Sequence, residues 1–341
     1  MKFFRLFILF ALLAAGLFGY EAGSSKPTLP VVKIAVLGSP SVIGRYSQSV
    51  YNVALATLIG LNPNGGYTLK RFDITDEKPE SIDTALQSIR NEGFTAILAP
   101  LTMNGVTHLV SVESRLPIFI PTVHKREFPD APSNIIFGSI DYEMQIKALL
   151  PYMSDSVAVF YDNSSIGTLL KEKTESLYLS ADASKKKFAS YPVDLKGDKI
   201  VAYLEKPSLF NRSSIVMHIP VVKSSVLAAH LTFKGIKKRN ILSTQINVDP
   251  TLLTLTQYND RKSMILANSL VEFSTAIYQS NELMGNDIRF DWVNYTSSVG
   301  IDYLVALLTH TERTYPMRLL NAQVIYPVEL LHAKEYGFEP L

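Results

Sequence analysis

The chain has 341 residues, 47% of them hydrophobic and 19% charged, with a formal net charge of +2. It is longer than the roughly 250–300 residues at which a single core stops growing, so two lobes are expected. The near-neutral charge and the short lysine runs of SADASKKKFA and FKGIKKRN, which read as solvated faces, argue against a nucleic-acid partner; the absence of cysteine excludes disulfides, thiolate metal sites and cysteine nucleophiles.

The N-terminus carries Lys2 and Arg5 in MKFFR, then LFILFALLAAGLFGY runs uncharged to Tyr20. A basic start, a short apolar run and small residues at Ala14-Ala15-Gly16 predict an export signal over 1–22, cleaved or retained as an anchor, and a linker over 23–31. The apolar run is shorter than the roughly 20 residues of a membrane-spanning helix. With no cysteine, a lipid anchor on an N-terminal cysteine is excluded as well. The expected location is the periplasm.

From Val31 a regular alternation begins. VVKIAVLGS reads as a buried strand, and SVIGRYSQSVYNVALATLIG as a loop feeding a helix. TLKRFDITDE is the next strand, and PESIDTALQSIRNEG a helix with a proline start and a glycine stop. FTAILAPL is a strand, MNGVTHLVSVES a helix and LPIFIPTV a strand. The same grammar continues through the helix YEMQIKALLPYM, the strand SVAVFYDNSS, the helix IGTLLKEKTESLYLS and the strands KKFASYPVDL and SSIVMHIP. VKSSVLAAHLTFKG is a helix, NILSTQI a strand, SMILANSLVEF an extended segment and SSVGIDYLVALLTHTERTY a helix. NAQVIYPVELLHAKEYGFEPL reads as a final strand with an irregular end. Strands alternating with helices mean βαβ units and a mostly parallel sheet covered on both faces.

Little in these residues supports catalysis, and no enzyme is expected. His108, His124, His218, His230, His310 and His332 are scattered without a metal-binding spacing, so neither a metal nor a cofactor is expected. GSPSVIG is not a nucleophile elbow, and no P-loop or GxGxxG is present. Asp73 and Asp76 in DITDE read as loop and capping groups.

In order and spacing, KIAVLGSPSVIGRYSQSVYNVALATL, FTAILAPLTMNG, LPIFIPTVH, SVAVFYDNSSIGTLL and VGIDYLVALL together resemble the type I periplasmic binding proteins, the Leu/Ile/Val-binding branch. The resemblance implies an α/β fold of two doubly wound parallel-sheet lobes joined by three crossovers. One lobe would hold 32–151 and 274–326, the other 152–273 and 327–341, with a small-molecule ligand between them. In open α/β sheets, ligands bind at the carboxyl ends of the strands.

The resemblance places candidate ligand residues at these exits. Ser39 and Ser41 would donate to a ligand or cap the first helix. Thr102 and Asn104 lie where the family sets a hydroxyl against a ligand carboxylate, and Thr122 and His124 follow the next strand. Tyr161, Asn163 and His218 would reach from the second lobe, with Asp162 belonging to its turn. Gln245 stands where amino-acid binders of the family carry an acid, and Ile166 where an aromatic covers the ligand. With no carboxylate among these residues, a neutral or anionic ligand is expected rather than a zwitterionic amino acid. Gly44 and Gly105 are candidates for close backbone approach. The expected function is a solute-binding protein serving a membrane transporter or sensor. The alternative is a non-catalytic periplasmic scaffold of the same fold, like the activators of penicillin-binding proteins, suggested by apolar Ile43, Met103, Val123, Ile166 and Ile219 near the exits.

Overall fold

The computed structural model describes residues 31–64, 66–112, 115–180, 186–194, 198–271 and 274–341. The expected export signal, and all of the linker but Val31, lie outside them.

Beyond Lys33, strand β1 (Val32–Gly38) is apolar on both faces, as befits a central parallel strand. It pairs in parallel with β2 (Tyr67–Asp73) on one side and β3 (Ala96–Leu98) on the other. Between them run α1 (Pro40–Ile43), α2 (Tyr46–Leu61) and α3 (Pro79–Asn91), the last with proline in its first turn and a left-handed glycine, Gly93, just beyond its end. Helix α4 (Met103–Leu109), β4 (Ile118–Ile120) and β5 (Ile135–Phe137) complete the first pass.

After α5 (Tyr142–Leu149) the second sheet opens with β6 (Ser156–Asp162), followed by α6 (Ser165–Leu179), β7 (Lys187–Val193), α7 (Asp198–Tyr203) and β8 (Ser214–His218). Then come α8 (Val221–Phe233), β9 (Asn240–Ser243), α9 (Pro250–Leu255), α10 (Tyr258–Arg261) and β10 (Met264–Asn268). The chain returns to the first lobe through α11 (Thr275–Leu283) and α12 (Trp292–Thr309), both packed on α2. Strands β11 (Arg318–Leu320) and β12 (Gln323–Ile325) join the first sheet, and β13 (Glu329–Ala333) and β14 (Phe338–Pro340) the second.

The sheets are seven-stranded, in the orders β11-β12-β5-β4-β3-β1-β2 and β14-β13-β10-β9-β8-β6-β7. Each is mostly parallel with antiparallel strands at one edge, and the chain passes between them three times. Strand order reverses between β1 and β3 in the first sheet and between β6 and β8 in the second, which marks the two switch points.

The fold meets the expected two doubly wound lobes, with two corrections. Helix α5, assigned above to the first lobe, packs on β10 and α6 of the second, because Leu149 completes the core of Val157, Val159 and Tyr178. The tail from Asn321, expected as one strand with an irregular end, forms three, of which β12 joins the first sheet and β13 and β14 close an edge of the second. Helix α12 is buried from Val293 to Ala306 except at Tyr303, because it lies between α2 and the first sheet. Its buried polar groups are satisfied: Ser298 bonds Thr57 at 2.8 Å, and Asp302 accepts from the backbone of Thr314 and Tyr315 at 2.9 Å each.

Candidate functional site

At the first switch point the polar groups bond within the protein. Ser39 is buried at the N-cap of α1, its hydroxyl 3.0 Å from that of Ser41, and neither caps the helix by side chain. Ser41 donates to the Thr75 carbonyl, tying the β1 exit to the β2 exit. Beyond β3 the site is filled by the protein itself. The buried Glu77 carboxylate accepts from the backbone N–H groups of Thr102 and Gly105, each at 3.0 Å, and from the Thr102 hydroxyl. An anion at a helix start meets free N–H groups and a favourable dipole, and here Glu77 supplies that anion to α4. Gly105 serves this contact: a Cβ there would lie 2.8 Å from the Glu77 Oε2. Gly44 adopts a positive φ with open space around its Cα, as a turn glycine does.

The remaining expected residues are dispersed. Asn104 is exposed on the first turn of α4, and the Thr122 hydroxyl donates to the Leu101 carbonyl. His124 caps a short 3-10 turn, its Nδ1 accepting from Arg126 N at 3.1 Å, with its Nε2 3.5 Å from Asp141. Burial would raise the Asp141 pKa, but the His124 hydrogen bond and the Arg126 guanidinium outweigh it and hold the carboxyl at about 2. Tyr161 lies half-buried at the end of β6 and Asn163 is exposed. Asp162 closes its own turn by accepting from Ser164 N at 3.2 Å, as expected. His218 is wholly buried, with Nε2 on the Thr174 hydroxyl at 2.8 Å and Nδ1 unpartnered; burial pushes its pKa down to about 3, so it is neutral. Of the apolar exits, Val123 and Ile219 belong to the core rather than to a cleft lip.

Gln245 is the member of the set that reaches an inter-lobe cavity. It follows β9 and sits in a closed ring: Gln245 N donates to Gln145 Oε1 at 2.9 Å, Gln145 Nε2 to Ser269 Oγ at 2.7 Å, and Ser269 N to Gln245 Oε1 at 2.8 Å. The ring joins α5, the β9 exit and the second crossover. Gln245 Nε2 is buried and has no partner.

The cavity, about 730 Å³, takes Tyr46, Asp291 and Trp292 from the first lobe and Gln245 and Asp249 from the second, with Tyr142, at the start of α5, packed against the first-lobe core. Asp291 caps α12 by accepting from Val293 N and Asn294 N at 3.0 and 3.1 Å, and Asp249 caps α9 by accepting from Thr251 N at 2.7 Å. Burial raises the Asp291 pKa, opposed by the Asn294 N–H, the Arg45 guanidinium 3.8 Å away and a hydrogen bond from the Tyr46 hydroxyl. Tyr142 and Trp292 meet edge to face with centroids 6.4 Å apart. The expectation of a cleft without carboxylates is therefore corrected: Asp249 and Asp291, at two helix starts, and Asp287, at a turn, line this cavity.

Sequence reasoning missed Glu77, although it is the last residue of the DITDE stretch read for Asp73 and Asp76 and lies two residues before the proline that starts α3. It also missed Tyr46, Tyr142, Asp249, Asp291 and Trp292. Two signals were present: the chain's single tryptophan, and the Asp-Trp and Asp-Pro pairs that announce helix starts. Among the described residues, no group of three or more His, Cys, Asp or Glu side chains is arranged to hold a metal ion.

No family model matches the chain, and no curated protein sequence does. Solved structures do. The leucine-binding protein LivK of Thermotoga maritima superimposes with a TM-score of 0.63 at 13% identity, over 91% of this chain and 98% of that one. A solute-binding protein of an ABC transporter from Rhodopseudomonas palustris, in complex with 3,4-dihydroxybenzoic acid, gives 0.65 at 10% identity, over 89% and 93%. The C-domain of LpoA from Haemophilus influenzae, a regulator of PBP1A, gives 0.59 at 9% identity, over 91% and 99%. At these identities the likeness speaks for the fold, and it agrees with the strand orders above: the chain has the type I periplasmic binding-protein fold of the Leu/Ile/Val-binding proteins.

Proposed function

We propose that the chain is a periplasmic solute-binding protein that closes its two lobes on a small molecule and presents it to a membrane transporter or sensor, without catalysis. The observation that carries this reading is the inter-lobe cavity, whose walls come from both lobes, so that a ligand there touches Tyr46 and Asp291 on one side and Asp249 and Gln245 on the other. A ligand with differential contacts to open and closed states shifts the population towards closure. The basic-apolar N-terminus and the company of extracellular and transporter-linked neighbours support the periplasm, and among the described residues no helix is long and apolar enough to cross a membrane.

The test is a thermal-shift screen over amines, amino acids, dicarboxylates, sugars and aromatic acids, followed by X-ray scattering on each hit. A ligand at a hundredfold excess over Kd stabilises by about 2.7 kcal/mol, and closure reduces the radius of gyration. A second reading, the scaffold, draws on Glu77, which occupies a strand exit with the protein's own carboxylate. A screen without any hit moves the proposal to that reading.

A further inference from the structure

We propose that the inter-lobe cavity takes an organic cation that carries a neutral oxygen acceptor and no carboxylate: an amine with an aromatic or alkyl body and a hydroxyl or carbonyl group. This rests on the solute-binding reading and names its ligand class.

Three independent features lead there. The first is charge. Asp249, Asp287 and Asp291 line the cavity against one guanidinium, that of Arg45, whose side chain is 80% exposed and lies over the Tyr46 ring at 5.1 Å and 3.8 Å from Asp291. Each carboxylate spends its Oδ1 on backbone N–H groups at the start of a turn or helix. Burial penalises the charged form of Asp291 and raises its pKa, and a cation beside it would relieve that penalty.

The second is the wall. Tyr46, Tyr142 and Trp292 are half-buried at the same cavity, and aromatic faces attract an ammonium group most when water is excluded. The third is Gln245. The residue is 3% exposed, its Oε1 is held by Ser269 N, and its Nε2 is closed to solvent and without a partner behind the wall to which the residue belongs. A buried donor left alone costs about 1–3 kcal/mol, and a ligand oxygen would recover it where the amide shifts towards the cavity.

Carboxylate-bearing ligands fit poorly for a complementary reason. The N–H groups and hydroxyl at Thr102 and Gly105, the cradle that would suit an anion, already hold Glu77. An incoming carboxylate would have to displace that side chain or face three acids in the cavity.

The experiment is calorimetric titration of the purified chain with three probes of one shape: tyramine, tyrosine and 3-(4-hydroxyphenyl)propionate, with ethanolamine and the quaternary amine choline as further amines. Tyramine, or another of the amines, is expected to bind at least tenfold more tightly than tyrosine, and the propionate not at all. Asp291→Asn, which keeps a good helix cap, and Trp292→Leu are each expected to weaken amine binding at least tenfold, whereas Asp76→Asn leaves it unchanged. Normal unfolding curves for the variants separate lost binding from lost folding. Binding of tyrosine or the propionate without binding of any amine overturns the cation inference and leaves the solute-binding reading standing. Amine binding indifferent to Asp291→Asn and Trp292→Leu overturns the site. No binding by any amine overturns the inference, and silence across the wider screen overturns the solute-binding reading with it.

Discussion

Two clusters of polar groups face the space around the strand exits, and they differ in what they lack. At Thr102 and Gly105 the donors are paired with Glu77, a residue of the same lobe. At Gln245 and Asp291 carboxylates and aromatics surround a cavity, and a buried amide donor stays unpaired. A satisfied cluster stabilises the fold; one that keeps unmet hydrogen-bonding capacity beside open space is where binding energy remains to be gained. Polar residues at a switch point therefore do not identify a ligand site until their partners are known.

The comparison breaks most directly at Glu77. Glu77→Ala leaves the Thr102 and Gly105 N–H groups without their acceptor, and a loss of about 2–4 kcal/mol in urea unfolding is expected. A loss below about 0.5 kcal/mol would show that water replaces the carboxylate and that the cradle is open after all.

His218 tests the other kind of site, a buried group with one nitrogen unpaired. Its folded pKa of about 3 lies below the ordinary value of 6.5, so the unfolded chain takes up a proton first as the pH falls. Stability is then complete above about pH 6.5 and is lost progressively down to about pH 3. Between pH 7 and pH 5 the expected loss is about 2 kcal/mol, measured as the difference between the wild type and His218→Gln, whose unfolding should lack this slope.

Gly105→Ala sharpens the cradle assignment. The new methyl group would press on a Glu77 carboxylate pinned by its bonds to Thr102, and a loss of about 1–2 kcal/mol is expected in the same assay. If the loss vanishes in the Glu77→Ala background, the two residues act as one unit; additive losses would contradict the contact. The smallest stability effect belongs to the cavity. Trp292 is half-buried at a helix start, so Trp292→Phe is expected to shift unfolding by less than about 0.5–1 kcal/mol while weakening ligand binding. A larger loss of stability would make Trp292 a core residue rather than a binding wall.

The architecture was legible because it is written locally. Buried apolar runs alternating with amphipathic segments, Pro79 at a helix start and glycines after helices specify βαβ units and a mostly parallel sheet, and the resemblance carried by their order implies two doubly wound lobes. The turn role of Asp162 was legible for the same reason, since the partner that closes it lies two residues away. What only the tertiary structure decided is which polar group meets which. Glu77 reaches Thr102 across 25 residues, and Gln145 reaches Gln245 across 100 and Ser269 across 124. Asp249, Asp291 and Tyr46 share a cavity although no periodicity relates them. Hydrophobic spacing encodes which face of an element is buried, but the pairing of donors and acceptors at strand ends depends on how sheets order and lobes cross, and that information resides in the whole chain packed at once.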